Sequence, residues 1–139
     1  MLHPDVSLLV VTGGPGVVKQ ALQSGKKVIG AGAGNPPAFV DETADIKKAA
    51  QDIVLGASLD NNILCIAEKS VVAMRQIEPQ LVQEMVKAGC VLIDNQRDIQ
   101  RLVELTVLSN GTPNKKFVGK NASVILDAAH IFRTMVIHG

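Results

Sequence analysis

The only two thiols in the sequence, Cys65 and Cys90, sit in different company. Cys65 lies in Asn61-Asn62-Ile63-Leu64-Cys65-Ile66-Ala67-Glu68-Lys69. Polar Asn61 and Asn62 precede it, and Glu68 and Lys69 follow, which is the composition of a loop near solvent. A positive neighbour favours the thiolate, the form that attacks electrophiles. By composition alone, a lone cysteine among apolar residues is more often an inert core side chain. Both readings of Cys65 stay open at this level. Cys90, between Gly89 and an apolar run, has no polar setting and reads as structural.

Two glycine-rich segments offer places for a ligand to approach the backbone. Thr12-Gly13-Gly14-Pro15-Gly16 falls between an apolar run and an amphipathic stretch. Glycines there admit a close ligand, and a helix N-terminus favours an anion. Thr12, Gly13, Gly14 and Gly16 are therefore candidate cofactor contacts. The motif is not a full dinucleotide fingerprint, because no acidic residue sits at the expected distance on a following strand end. A plain tight turn is the competing reading. The second segment is Gly30-Ala31-Gly32-Ala33-Gly34-Asn35-Pro36-Pro37. Three glycines at alternate positions give an extended stretch without bulky side chains. It suits a flat cofactor ring lying on Ala31 and Gly32, and it equally suits a domain-crossing linker.

Other chemistries find little support. His3, His130 and His138 share no metal-ligand spacing with each other or with the cysteines. No metal is expected, and no disulfide framework. The net charge is +1 with no basic stripe, and aromatic residues make up 2% of the chain, so base-stacking platforms are absent. No nucleic-acid partner is expected. No run is long and apolar enough to span a membrane, and the start, Met1-Leu2-His3-Pro4-Asp5, is no secretory signal. The expected setting is the reducing cytoplasm. Lys47-Lys48 and Lys115-Lys116 read as solvated faces.

These residues need a frame to hold them. The chain has 139 residues, 47% apolar and 19% charged. That is enough for a globular domain with a real core. Residues 7–11 (SLLVV), 27–29, 38–40, 70–74, 91–93 and 134–137 read as strands. Residues 17–24, 45–57, 79–88, 97–107 and 122–129 read as helices from their apolar spacing. Gly25 and Gly89 are placed to end two of them, and Asn95 is placed to cap another. Asp41, Glu42 and Asp45 sit where acids favour a helix start. The alternation predicts an α/β fold, a mostly parallel sheet covered by helices in the Rossmann-like manner. The one candidate boundary is near Gly30, where the strands on either side could belong to different sheets. The abrupt ends suggest a cut from something larger.

Taken together, the segments resemble the aldehyde dehydrogenase superfamily. They are most similar to the CoA-acylating acetaldehyde and propionaldehyde dehydrogenases of ethanolamine and propanediol utilisation. The resemblance rests on Val11-Thr12-Gly13-Gly14-Pro15-Gly16-Val17-Val18, on residues 25–37, on Val40-Asp41-Glu42-Thr43-Ala44-Asp45 and on Cys65-Ile66-Ala67-Glu68-Lys69-Ser70. Their order and spacing match too, and the similarity runs from about His3 to Lys120.

The resemblance implies a partial aldehyde dehydrogenase fold. Residues 1–29 would be the end of the cofactor-binding domain and residues 30–139 part of the catalytic domain. It implies that Cys65 adds to a short-chain aldehyde, that hydride passes to NAD to leave a thioester on the enzyme, and that CoA then takes the acyl group. A covalent intermediate splits one hard step into two easier ones. The backbone N–H of Cys65 would help hold the developing oxyanion. Hydrolytic relatives carry a general-base glutamate some thirty residues before the cysteine. An ungapped count puts Ala31 there, and no residue from 28 to 40 is acidic. Without that base water is poorly activated, which points to the acylating branch. The family also implies a homo-oligomer when full length, and often a bacterial microcompartment. Family enzymes are several times longer, and the upstream oxyanion-hole asparagine and the glutamate that holds the nicotinamide ribose have no counterpart here. This piece alone is therefore expected to be inactive. A truncated non-catalytic homologue and a small Rossmann-like binding domain are the other readings.

Overall fold

The computed structural model describes residues 1–32 and 34–131. Contacts divide the chain into two compact units, Met1–Asn35 and a second that begins at Pro36. The strand expected at residues 134–137 lies outside the described residues.

The first unit is one strand–helix–strand repeat. β1 (Leu8–Thr12) and β2 (Lys27–Ala31) pair in parallel, with Val10 opposite Ile29 and Thr12 opposite Ala31. The apolar run of β1 makes the strand, and alternation turns Leu9 and Val11 toward α1 (Pro15–Leu22). Pro15 sits at the start of α1, where its missing N–H costs nothing. Beyond the helix the Ser24 hydroxyl donates to the Ala21 carbonyl, and Gly25, at φ 71°, turns the chain into β2. Gly30 lets helix and strand approach closely, since an added Cβ would lie 3.3 Å from Val18 Cγ1. Ala21 is fully buried there.

The second unit carries β3 (Pro37–Val40), α2 (Ile46–Ser58), β4 (Ser70–Ala73), α3 (Glu78–Lys87), α4 (Gln96–Thr106) and α5 (Ala122–Ala128). β3 and β4 are parallel, with Phe39 opposite Val72. Val40, Ala50, Ile53 and Leu81 form the core, joined at its margin by Ala38, Ile46, Ala73, Ile77 and Met85. Burying Leu81, the largest fully enclosed side chain, is worth roughly 2 kcal/mol. Asp45 caps α2 by accepting from the Lys48 N–H at 3.0 Å, and Asn95 caps α4 by accepting from the Asp98 N–H at 2.9 Å. Both caps fall where the acid and amide residues of the sequence place them.

The α/β class and the parallel strands are as the sequence predicts. The strands on either side of the glycine-rich break do belong to different sheets. Residues 91–93 are not a strand. Val91 and Leu92 stay 42% and 44% exposed, and among the described residues no strand lies beside them to complete a ladder. An apolar run shows what can be buried; only a hydrogen-bonding neighbour makes it a strand. Each sheet also has an uncovered apolar face. Val10 and Ile29 are 71% and 58% exposed on one, and Phe39 is 76% exposed on the other.

Candidate active site

Cys65 stands on a loop built by three unusual backbone conformations. Asp60, Asn61 and Asn62 have φ of 50°, 52° and 60°. The left-handed region costs most residues roughly 1–2 kcal/mol, and aspartate and asparagine tolerate it best after glycine. They turn the chain in a left-handed sense directly after α2, and it then returns to β4 through residues 63–69. Cys65 is exposed on that return. The Ala67 N–H donates to the Leu64 carbonyl at 3.2 Å, closing a four-residue turn with Cys65 and Ile66 at its centre. Ala67 is buried and anchors the turn.

Three polar side chains brace the loop. Asn62 Nδ2 donates to the carbonyls of Ala57 and Glu68, at 2.7 and 2.9 Å, tying the end of α2 to the far side of the loop. Lys69 Nζ donates to Asn62 Oδ1 at 2.7 Å and to the Leu64 and Ala67 carbonyls at 3.1 and 3.4 Å. It also reaches the Asn62 carbonyl at 3.4 Å. The Lys69 N–H bonds to the Pro36 carbonyl at 3.0 Å, so the loop is fixed to the start of β3 as well. Asn61 Nδ2 donates to the Gly119 carbonyl and Asn121 Oδ1. Gly119, at φ 70°, leaves the space that Ile63 fills. Gly56 of α2 does the same for the Glu68 carboxylate, since a Cβ there would lie 2.9 Å from Glu68 Cδ. The sequence marks this stretch as polar and near solvent. It does not show that Asn62 and Lys69 are structural braces. The available signal is the run of three Asx residues, which announces left-handed turns.

Two shallow surface hollows of the second unit, of about 310 and 390 Å³, lie elsewhere. One opens between Phe39 and Val72, the other between Lys47 and Lys87, and neither is lined by Cys65.

The proposed cofactor residues fall in the first unit. Thr12 and Ala31 are register partners, and the Gly13 N–H continues the ladder to the Ala31 carbonyl at 3.3 Å. Gly14 is the N-cap of α1, and Gly16 lies in its first turn. Thr12, Gly13, Gly14, Gly16 and Ala31 are thus grouped at the carboxyl ends of two parallel strands, with Gly32 following Ala31. Such an edge is where α/β sheets bind ligands. Only Gly13, at φ 153°, has a backbone that demands glycine. Among the described residues, an added Cβ at Gly14, Gly16 or Gly32 would meet nothing within 4 Å. Open backbone of this kind fits a nucleotide laid against it.

Cys90 differs from Cys65 in exposure and chemistry. It is half-buried, and desolvation pushes its thiol pKa up. A raised pKa means less thiolate at neutral pH, which slows any reaction of Cys90 there. A limiting amount of iodoacetamide near neutral pH should therefore alkylate Cys65 well before Cys90. Peptide mass mapping reads the order, and equal labelling of both in a folded chain would count against Cys65 as the reactive thiol.

Comparison with known proteins gives a consistent result. The family model described as the aldehyde dehydrogenase family matches residues 1–99. The propanal dehydrogenase (CoA-propanoylating) of Salmonella typhimurium is 51% identical over 131 residues, covering 94% of this chain and 28% of that protein. The propionaldehyde dehydrogenase of Rhodopseudomonas palustris, solved with bound propionyl-CoA, superposes with a TM-score of 0.88 at 48% identity, over 96% of this chain and 29% of that one. A propionaldehyde dehydrogenase from the Clostridium phytofermentans fucose utilisation microcompartment gives 0.86 at 50% identity, over 95% and 30%. The chain spans under a third of the length of these relatives.

Proposed function

The chain belongs to the aldehyde dehydrogenase family, and on that premise we propose that it is the cysteine-bearing part of a CoA-acylating aldehyde dehydrogenase. The whole protein would convert a short-chain aldehyde, NAD and CoA to acyl-CoA and NADH. The observation that carries this reading is the braced, exposed turn at Cys65. Its thiol is accessible, and its own N–H donates to no protein acceptor among the described residues. That N–H is available for an oxygen that becomes negative when the thiolate attacks.

Cys65 adds to the aldehyde carbonyl, and its N–H helps hold the resulting oxyanion. Thr12, Gly13, Gly14, Gly16, Ala31 and Gly32 would bind the nicotinamide cofactor, whose chemistry when bound is to accept the hydride. The acyl group then passes from Cys65 to the CoA thiol, and the Cys65 thiol is released. In this reading residues 1–29 close a cofactor-binding domain and residues 30–139 belong to a catalytic one. The full-length protein would assemble from identical subunits in the cytoplasm, inside a microcompartment where the host builds one. None of the described helices is long and apolar enough to cross a membrane.

The test needs the missing length. Exchanging the matching segment of the Salmonella propanal dehydrogenase for this chain gives a chimera that supplies it. Incubated with propanal and NAD but no CoA, the chimera should accumulate a propionyl group on the peptide carrying Cys65. Added CoA should discharge it. An acyl group found on Cys90 instead, or on neither thiol while NADH forms, would sink the assignment. A second reading is favoured by the uncovered faces at Val10, Ile29 and Phe39: the chain would only dock onto a longer relative, and the chimera would then fold without acylating.

A further inference from the structure

We propose that Lys69 is a positioning residue that aims the backbone N–H of Cys65 at the oxyanion. The inference rests on reading Cys65 as the nucleophile. Lys69 is an exposed side chain, yet its ammonium group reaches back to four oxygens of the loop. Ordering a long exposed side chain costs conformational entropy, so the bonds it makes must offset that loss. One of them singles out the peptide that matters. The Leu64 carbonyl, which accepts from Lys69 Nζ at 3.1 Å, belongs to the same peptide unit as the Cys65 N–H.

The two ends of that unit move together. It is planar and trans, so its C=O and N–H point in opposite directions. Fixing the oxygen fixes the hydrogen. The Leu64 oxygen is held twice, by Lys69 Nζ and by the Ala67 N–H at 3.2 Å. The Cys65 N–H is left pointing away with no protein partner among the described residues. A cation donating to the carbonyl also polarises the amide and makes its N–H a stronger donor. The further bond from Lys69 to the Ala67 carbonyl holds the other end of the same turn. Lys69 thus acts through the backbone and need not touch the reacting atoms.

The test compares two reactions of one thiol in this chain, with Cys90→Ser removing the other. With p-nitrophenyl propionate the Cys65 thiolate attacks the ester carbonyl, a C–S bond forms, the C–O bond breaks and p-nitrophenolate leaves. That path goes through an oxyanion. With iodoacetamide the thiolate displaces iodide at a saturated carbon, and no oxyanion forms. Lys69→Met should slow acylation about tenfold relative to alkylation, less than the loss expected when an oxyanion donor is deleted outright. Lys69→Arg, which keeps the charge and the donors, should recover most of the ratio. The proposal is overturned by an unchanged ratio in Lys69→Met, by two rates that fall together, by a variant that has lost its cooperative melt, or by a Lys69→Arg chain as slow as Lys69→Met. A parent chain that alkylates at Cys65 yet releases no p-nitrophenolate gives a different answer. It shows that the Cys65 N–H holds no oxyanion in this chain, and the role of Lys69 falls with it, while acylation of the chimera decides the nucleophile reading separately.

Discussion

Cys65→Ala in the chimera is expected to lower aldehyde-dependent NADH formation by at least about a thousandfold, because in the proposed reaction Cys65 is the group that makes the covalent intermediate. Little else in the chain can replace it. Cys90 is half-buried with a raised pKa, and its N–H is already committed to the Met85 carbonyl at 3.1 Å. NADH absorbance with propanal, NAD and CoA reads the rate. The unsubstituted chimera should depend on free CoA. The 139-residue chain alone should form no NADH, since it spans 28% of the length of the Salmonella relative. A Cys65→Ala chimera within about tenfold of the parent rate would show that another group carries the acyl intermediate.

How much of this was legible beforehand depends on the range of the interactions involved. The helices were readable because each is specified locally. Apolar spacing gives α2 and α4, while Asp45 and Asn95 announce their starts through a hydrogen bond three residues away. Residues 91–93 misled because an apolar run says nothing about its neighbours, and a strand exists only with one. The position of Cys65 in an exposed loop followed from the polar residues on both sides. The way the loop is held did not follow. Lys69 reads in sequence as a charge near a thiol, but in the structure its donors are taken by four oxygens. Those partners become visible only once Asp60, Asn61 and Asn62 have turned the chain back on itself. The open glycines show the complementary case. Gly30 has a packing reason inside the chain, whereas Gly14, Gly16 and Gly32 face open space among the described residues.

The acyl-enzyme of the chimera should transfer to CoA at least about a hundredfold faster than it hydrolyses, because alanine stands where the resemblance places the general base for water. Ala31 holds the position that the resemblance assigns to that base, and no acid occurs from residue 28 to residue 40. One acid does lie close to Cys65 along the chain, and it is Glu68. Its carboxylate sits against Gly56 of α2, and its carbonyl is taken by Asn62, so the loop uses it for support. Ala31 is exposed at the end of β2, which leaves room at that position for a longer side chain. Ala31→Glu should therefore raise the yield of propionate when CoA is absent, by up to about the hundredfold that general-base help supplies. Glu68→Gln should leave the partition between propionate and propionyl-CoA as it was. The partition is measured by trapping the acyl-enzyme and timing its loss with and without CoA. If the unsubstituted chimera already hydrolyses its thioester as fast as it transfers it, water has a base after all. A fall in hydrolysis on Glu68→Gln would then identify Glu68 as that base, and the acylating character would no longer rest on Ala31.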